Sequence, residues 1–383
     1  MPDGNGRVRV SVAERIADVA PAEWDQCAGE GNPFATHAFL AALEDSGSAG
    51  AGTGWLPRHL VARDDDGKVV GCAPLYLKSH SYGEYVFDWS WAEAYTRAGG
   101  RYYPKLQCAV PFTPVTGPRL LARSEPVREA LATAMVEMAG RWGVSSLHVT
   151  FPTEAEADLL EGKGFLRRLG FQYHWENRDY AGFDDFLAAL SSRKRKQVRR
   201  EREAVAAQGL SIATLAGAEV KARHWDAFHR FYQGVVDRKW GSAYLTRAFF
   251  EELSASPLGG DVVLVWVERD GQPLAAAFNL LGGDTLYGRT WGSGAEDVPF
   301  LHFEACYYRA IDFAIAHRLA RVEAGAQGEH KVSRGYLPAA THSAHWFADP
   351  RLGEAVGRYL AHERPLVAED MAEQAECGPF RKG

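Results

Sequence analysis

The sequence predicts a mixed α/β protein, of the α+β kind, built from two similar domains in tandem. Its 383 residues are too many for one domain of ordinary size. Residues 59–77 read as a strand, an Asp-Gly turn and a second strand, and residues 262–281 repeat this pattern. In both halves a loop, a helix and a further strand follow in the same order. A repeat of about 200 residues indicates a duplicated domain and not a solenoid.

The remaining elements are predicted from periodicity and from residues that end helices. The first half is predicted to contain a strand at 8–12, helices at 33–43 and 125–142, and a strand at 146–151. The second half is predicted to contain a strand at 286–291, a helix at 301–317 and a strand at 321–324. A helical pattern over 183–208 ends at Gly209. The predicted domains are therefore 1–180 and 181–383, the second beginning with a basic helix at about 184–208.

The composition is that of a well-packed globular protein, with 46% hydrophobic and 12% aromatic residues. The five cysteines are scattered and form no C-x-x-C pair, which argues against a disulfide framework or a thiolate zinc site. The first residues lack the apolar core of a signal peptide, and no apolar run reaches the roughly 18 residues of a membrane span. We therefore expect a soluble, cytoplasmic protein without a transmembrane segment.

Positive charge is concentrated between the two halves. Residues 193–202 hold seven basic side chains and one Glu, so this segment carries +6 and the rest of the chain −12 of a net −6. A local strip of positive charge on an acidic protein indicates binding of a specific anion and not of DNA or of nucleic acids in general. Because like charges one helical turn apart repel, a phosphate or nucleotide at Arg195, Arg199 and Arg200 would relieve the strip. A solvated helix surface is the alternative interpretation.

A second polar segment, 323–336, follows the last predicted strand. It places Glu323, Gln327, His330, Lys331 and Arg334 among glycines, where a strand ends in a turn. Stability alone rarely requires such a mixture, and strand ends with polar turns often present chemistry. We expect a substrate to bind here.

The pair His342 and His345, with His330 before it, raises the question of a metal. The H-x-x-H spacing differs from the i, i+4 spacing of helical zinc motifs, and Pro338 disfavours a helix immediately before it. On a strand the two side chains would lie on opposite faces. The sequence therefore predicts no metal.

The first half carries a polar cluster of its own. Its members are Tyr82, Glu84, Asp88, Trp89 and Lys105. Together with Trp91, these aromatic rings and carboxylates would suit a sugar or a peptide stem. A buried hydrogen-bond network would use the same residue types, and both interpretations stay open.

Several segments resemble known acyltransferases. The order of two strands around an Asp-Gly turn, a third strand, a helix and a strand is similar to the GNAT fold. Two such domains in tandem resemble the Fem-type aminoacyltransferases, which the segments 186–200, 228–240 and 328–335 match. Over roughly residues 30–380 the chain resembles a FemAB-like bacterial group labelled peptidoglycan biosynthesis/recognition. The motifs that carry this resemblance are 82–89, 103–107, 110–118 and 323–331.

The resemblance implies two GNAT-like domains, each a mixed central sheet flanked by helices. It also implies acyl or aminoacyl transfer to an amine of a cell-wall precursor or peptide, with aminoacyl-tRNA or acyl-CoA as donor. The acceptor would be a small peptide or an amino sugar, and peripheral membrane contact is compatible with this function. Two alternatives stay open: a protein that recognises peptidoglycan fragments without catalysis, and an RNA-binding protein that uses the basic helix.

The resemblance further suggests roles for individual residues. Lys331 matches the family lysine and would stabilise an oxyanion or bind a carrier phosphate, unless it is a surface lysine. Glu323 would act as a base or bind the acceptor ammonium, unless it only accepts N–H bonds of the turn. His330 would carry a proton, although a lone histidine is more often structural. Gln327 and Arg334 are expected to bind substrate, as are the five residues of the first-half cluster.

The loop before the helix of the second half departs from the GNAT pattern. GNAT enzymes hold the CoA pyrophosphate on a Gly-rich loop and a helix N-terminus. Here residues 292–300 include Glu296 and Asp297, which would repel a pyrophosphate. In the first half, the prolines of 105–118 remove backbone donors. The sequence therefore favours aminoacyl-tRNA over acetyl-CoA as the donor.

Overall fold

The computed structural model describes residues 8–238, 241, 243–325 and 328–381. The chain forms two compact units, the first made of residues 1–170 and 340–368 and the second of 171–339 and 369–383. These units differ from the predicted continuous domains 1–180 and 181–383, because the strand Leu337–Phe347 carries the chain back to the first unit. Within the described residues no helix is long and apolar enough to cross a membrane.

The first unit contains two sheets. Its strands are β1 (Arg9–Ala13), β2 (Trp55–Pro57), β3 (His59–Arg63), β4 (Val69–Ala73), β5 (Leu75–Lys78), β6 (Lys105–Cys108), β7 (Leu121–Ala122) and β8 (Ser146–Thr150). One sheet is antiparallel with the order β1-β3-β4-β7, and the other has the order β8-β6-β5-β2. In the second sheet β6 and β8 run parallel, and residues 343–347 pair antiparallel with β8.

Five helices belong to the first unit before the chain leaves it. They are α1 (Pro21–Ala28), α2 (His37–Asp45), α3 (Trp89–Arg97), α4 (Glu125–Trp142) and α5 (Glu154–Gly162). The apolar face of α4 buries Leu131 and Met135 against Leu60 of β3 and Leu147 of β8. Burial of such side chains contributes about 1.5–3 kcal/mol each, so this contact forms the centre of the first core.

The second unit is built on one mixed sheet. Its strands are β9 (Leu166–Glu176, from residue 171), β10 (Ser211–Ala216), β11 (Val262–Arg269), β12 (Gln272–Gly282), β13 (Thr285–Ser293) and β14 (Arg321–Glu323); the chain then enters β15 (Leu337–Phe347). The sheet order is β10-β11-β12-β13-β14-β9. Only the contact between β13 and β14 is parallel, and its neighbours are antiparallel.

Helices cover this sheet. They are α6 (Phe183–Ala189), α7 (Ser192–Ala206), α8 (Ala222–Arg238), α9 (Arg247–Ala255), α10 (Leu301–Phe303) and α11 (Arg309–Ala316), followed by α12 (Pro350–Glu376), which the two units share. A π-helical turn, Glu304–Tyr308, joins α10 to α11. The core of this unit includes Trp175, Val198, Ile311 and Tyr336.

Most of the predicted elements are confirmed, including both Asp-Gly hairpins and the helix Glu125–Trp142. The single helix predicted at about 184–208 is wrong, because it is broken at Leu190 and Ser191. Leu190 is extended and fully buried, and it forms a β-bridge with Phe380. The N–H of Ser191 donates to the carbonyl of Pro379 at 2.8 Å. A distant segment of the chain therefore takes the hydrogen bonds that a continuous helix would have used.

A buried ion pair fixes the basic helix α7 to the turn that precedes β15. Arg334 donates through Nη2 and Nε to the two carboxylate oxygens of Glu201, at 2.7 and 3.1 Å. Both side chains are almost completely buried, and the hydroxyl of Tyr308 also donates to Glu201. Removing one partner of such a pair leaves the other charge buried and unpaired.

We expect Glu201→Ala to lower the free energy of unfolding by about 3–5 kcal/mol in urea titration, because it leaves the guanidinium of Arg334 buried without its carboxylate partner. The matched control is Glu203→Ala, two residues further along the same helix and exposed, which should change stability by less than about 0.5 kcal/mol. Equal losses in the two variants would contradict a structural role for the pair.

Candidate functional site

The parallel strands β13 and β14 separate after three residue pairs. Thr285, Leu286 and Tyr287 pair with Arg321, Val322 and Glu323, after which β14 ends while β13 continues to Ser293. Strand ends of this kind often carry functional residues. Glu323 is the last residue of β14 and therefore lies where the two strands part.

The backbone of β13 is irregular at the same level. Phe278 pairs with Thr290 but Asn279 pairs with Gly288, so Arg289 is an extra residue in a β-bulge. A Cβ at Gly288 would lie 3.2 Å from the carbonyl oxygen of Glu323. Glycine thus permits the close approach of β13 to the end of β14, and bulges of this kind often re-aim side chains next to functional sites.

The carboxyl group of Glu323 is buried and incompletely bonded. The residue is 5% exposed, and its Oε2 has no hydrogen-bond partner among the described residues. Burial raises the pKa of Glu323 to about 7, although Arg321 and Arg289 act in the opposite direction. A carboxyl group with a pKa near neutrality can accept and release a proton at physiological pH, as a general base must.

His174 of β9 faces Glu323 across the sheet, and sequence reasoning missed it. Its Nε2 lies 3.7 Å from Oε2 of Glu323 and has no hydrogen-bond partner in the described part of the chain. Burial lowers the pKa of His174 to about 3, so the imidazole is neutral at pH 7. No motif marks His174, since its only connection to Glu323 is the cross-strand register.

Lys331 lies buried in the turn that follows β14. Its Nζ donates to the carbonyl oxygens of Ala324 at 2.7 Å and Gly325 at 3.0 Å. Burial lowers the pKa of Lys331 to about 8. An ammonium has three N–H donors, so one remains after the two backbone contacts. This donor can bind a ligand oxygen in the turn that follows Glu323.

The other predicted residues of this segment have different positions. His330 is exposed, and its Nε2 lies 3.0 Å from the hydroxyl of Tyr307. The guanidinium of Arg334 is buried on Glu201 and 3.5 Å from the ring centre of Phe303. Because the guanidinium of Arg334 already binds Glu201, its predicted contact with substrate stays a prediction. Gln327 lies outside the described residues.

The predicted cluster of the first unit is centred on Lys105, which is fully buried. Its Nζ donates to Ser81 at 2.8 Å, to Glu84 at 2.7 Å and to Asp88 at 2.5 Å. Asp88 also accepts a hydrogen bond from the hydroxyl of Tyr102 at 2.7 Å. Within the first unit, these residues therefore form a buried hydrogen-bond network.

The pKa values of the two carboxyl groups of this network are shifted in opposite directions. Burial raises the pKa of Glu84 to about 7 despite the contact with Lys105. Burial alone would also raise the pKa of Asp88, but Lys105 outweighs it and holds that pKa below its usual value. Tyr82 and Trp89 lie outside the network, with exposed rings whose centres are 4.9 Å apart. Trp91, in contrast, is buried, so the expectation that it joins Trp89 in holding a ligand is wrong.

Comparison with known proteins identifies the family. Residues 15–382 match the model of the FemAB-like family, described as peptidoglycan biosynthesis/recognition. The chain belongs to the FemAB-like family. No curated protein has significant sequence similarity to it.

Solved structures share the fold of this FemAB-like chain at low identity. FemX is 12% identical with a TM-score of 0.54, over 88% of this chain and 98% of FemX. The C-terminal domain of a putative lysylphosphatidylglycerol synthetase from Agrobacterium fabrum is 8% identical with a TM-score of 0.56, over 88% and 94%. L-PGS from Bacillus licheniformis is 10% identical with a TM-score of 0.52, over 87% and 98%. The predicted fold class, two GNAT-like α/β units in tandem, is confirmed.

Three backbone N–H groups at and just after the start of α10, the helix expected to hold a pyrophosphate in a GNAT enzyme, are already hydrogen-bonded. The N–H groups of Leu301, Phe303 and Glu304 donate to backbone carbonyls of Val298 and Phe300. The carboxylate of Glu304 is buried near this helix start and bound by Arg202 and Arg309. These N–H groups are therefore already bonded within the second unit, and two guanidinium groups compensate the carboxylate.

The basic helix α7 presents part of its charge to solvent. Arg199 and Arg200 are exposed and Arg195 is half-buried. Arg199 lies 3.8 Å from the exposed Asp184, a weak surface pair. Arg195 and Arg200 have no ion pair among the residues that the structure describes. These three side chains therefore remain candidates for contact with an anionic ligand.

The two histidines of the H-x-x-H motif lie on β15 and have separate partners. His345 is buried, with its Nδ1 2.7 Å from Nδ1 of His148. His342 contacts the guanidinium of Arg167 at 3.2–3.4 Å. In the described ranges, no group of three or more His, Cys, Asp or Glu side chains is arranged to hold a metal ion.

The raised pKa of Glu323 makes stability depend on pH. The folded state holds the Glu323 proton up to about pH 7, whereas the unfolded chain loses it near 4.5. Stability from this group is therefore present below pH 4.5 and is lost as the pH rises towards 7. We expect the wild type to lose about 3 kcal/mol more than Glu323→Gln between pH 4 and pH 8 in urea titration. The control is the exposed Glu329→Gln, which should follow the wild type; parallel profiles for wild type and Glu323→Gln would contradict the shift.

Proposed function

We propose that this protein transfers an acyl or aminoacyl group to an amine of a cell-wall precursor or a related peptide. The observation that carries the proposal is Glu323, buried with a pKa of about 7 where two parallel strands part, followed in the next turn by Lys331, whose ammonium binds the carbonyls of Ala324 and Gly325. A base and a cationic hydrogen-bond donor are the two groups that acyl transfer to an amine requires. The FemAB-like membership and its peptidoglycan description support the choice of acceptor.

In the proposed reaction the ionised carboxylate of Glu323 removes a proton from the acceptor ammonium. The free amine attacks the carbonyl carbon of the donor ester, and the oxyanion of the tetrahedral intermediate accepts the third N–H of Lys331. The C–O ester bond then breaks as the leaving oxygen takes the second proton from the attacking nitrogen, the C–N bond remains as an amide, and Glu323 releases its proton to solvent. The neutral imidazole of His174, 3.7 Å from Glu323, would orient the carboxyl group.

The donor of the proposal is aminoacyl-tRNA. Bonded backbone N–H groups at the start of α10 argue against acyl-CoA. The exposed Arg199 and Arg200, with Arg195, suit the phosphates of an RNA. The acceptor of the proposal is a small peptide or an amino sugar.

A second candidate is recognition of peptidoglycan fragments without turnover. It is favoured by the two hydrogen bonds that Lys331 makes to backbone carbonyls, since these also suit a lysine that only closes the turn. Catalysis and recognition differ in whether loss of the ammonium affects rate or only affinity.

We expect Lys331→Ala to lower kcat about 100-fold in an assay of aminoacyl transfer from aminoacyl-tRNA to a muropeptide, because one oxyanion donor is lost. The affinity for the muropeptide, measured by calorimetry, should change little. The control is the exposed Lys196→Ala. An unchanged kcat with weaker muropeptide binding would overturn catalysis and favour recognition.

We expect the triple variant of Arg195, Arg199 and Arg200 to Gln to weaken tRNA binding and to lower the slope of log K against log salt by about 2–3, since up to three phosphate contacts are removed. The matched control replaces three exposed arginines of the first unit, Arg123, Arg141 and Arg358, and causes the same change in net charge. Equal slopes in the two triple variants would exclude the basic helix as the RNA contact.

A further inference from the structure

Five of the six exposed aromatic side chains in the described part of the first unit lie in two segments; the sixth is Trp142. Four of them lie within eight residues of the loop that leads into α3, and the fifth lies on α12. Their exposed fractions are 55% for Tyr82, 39% for Tyr85, 58% for Phe87, 41% for Trp89 and 47% for Tyr359. We call these five residues the aromatic face. Patches of this kind on a protein surface mark contact with a partner or a membrane.

Hydrogen bonds join the loop and α12 within the first unit. Arg168 donates through Nη1 to the carbonyl of Phe87 at 2.8 Å and through Nε and Nη2 to Glu363 at 2.8 and 2.7 Å. The hydroxyl of Tyr359 donates to the same Glu363 at 2.7 Å. Arg168 and Glu363 therefore link the backbone of Phe87 to the hydroxyl of Tyr359 and hold the loop beside α12.

The loop between Tyr82 and Trp89 has its polarity reversed relative to an ordinary surface loop. The acidic side chains Glu84 and Asp88 are 4% and 2% exposed, because both point inward to Lys105. The aromatic side chains between and beside them point outward. Further bonds to the carbonyl of Tyr82, from Lys78 at 3.1 Å and from Trp55 at 3.1 Å, hold the loop in this state.

This arrangement suits a surrounding that is less polar than water. Burying carboxyl groups and exposing aromatic rings both oppose folding in water, yet the Lys105 network enforces both. Tyr and Trp favour the boundary between lipid headgroups and acyl chains, where one end of the ring is apolar and the other is hydrated. Phe87, the most exposed of the five, has no polar group with which to bind a sugar.

The charge of the loop is also compatible with a lipid surface. Its two carboxylates are withdrawn into the network, so residues 79–89 expose no acidic side chain. The exposed Arg101 follows α3, while the exposed Arg97 at the end of α3 lies 3.5 Å from the exposed Glu93. The loop itself therefore carries no charge that would repel anionic headgroups.

We propose that the aromatic face docks the first unit on the surface of a lipid bilayer, with Phe87 inserted at the level of the headgroups and upper acyl chains. The contact is peripheral and reversible, since a few aromatic side chains bury a limited area. The inference does not depend on acyl transfer, because it uses neither Glu323 nor Lys331.

The test is sedimentation of the full chain with vesicles of phosphatidylcholine, alone or mixed with phosphatidylglycerol. We expect the wild type to bind, Phe87→Ser to bind about tenfold more weakly and Phe87→Trp to bind more tightly. The matched control is Trp142→Ser, which removes an exposed aromatic ring from the end of α4 and should bind as the wild type does. Thermal unfolding would verify that each variant is folded.

Three results would overturn the proposal. The first is that the wild type binds neither kind of vesicle. The second is that Trp142→Ser and Phe87→Ser weaken vesicle binding equally. The third is that a soluble N-acetylglucosamine oligomer binds in place of vesicles and that Phe87→Ser abolishes this binding. Transfer to a soluble acceptor should be unchanged in Phe87→Ser. Failure of membrane docking is thereby distinguished from failure of the proposed catalysis.

Discussion

The structure depends on how its buried cations are neutralised, which among the described residues are Lys78, Lys105, Arg119, Lys331 and Arg334. Lys105, Lys331 and Arg334 are each at least 96% buried, and a buried charge is tolerated only when its hydrogen bonds are satisfied. Arg334 has a bidentate carboxylate, Lys105 has two carboxylates and a hydroxyl, and Lys331 has two backbone carbonyls. The chain is thus folded around these groups, and the segments that they hold are those with unusual surface chemistry.

Lys105 and Lys331 differ in the groups that their ammonium ions bind. Burial alone would lower the pKa of Lys105, but Glu84 and Asp88 outweigh it and raise that pKa, so its proton is held firmly. The ammonium of Lys331 binds two backbone carbonyls and lies 5.5 Å from the ring centre of Tyr173, and burial lowers its pKa to about 8. A firmly held, fully bonded ammonium supports a loop, whereas a poorly compensated one with a spare donor can respond to a ligand.

Local patterns were sufficient to predict much of the fold. The Asp-Gly turns predicted both hairpins and the periodicity predicted the helix Glu125–Trp142, since each depends on adjacent residues. The break at Leu190 was not predictable, because its cause is a bridge to Phe380 at the other end of the chain. The same holds for His174, whose only link to Glu323 is the pairing of β9 with β14. The sequence named the residues around Lys105, but only tertiary structure decides between a ligand site and a buried network.

The two groups of the proposed reaction limit the pH at which they can act together. Glu323 must be ionised to take a proton, which requires a pH above about 7. Lys331 must be protonated to donate to an oxyanion, which requires a pH below about 8. Both conditions are met in a narrow interval around neutrality, and burial of the two side chains in the same turn creates it. In ordinary solvent the same residue types would overlap over roughly six pH units, from about 4.3 to 10.4, but the carboxylate would then be too weak a base for an amine. Burial therefore narrows the pH range in which both groups are charged, and it makes the carboxylate of Glu323 a stronger base.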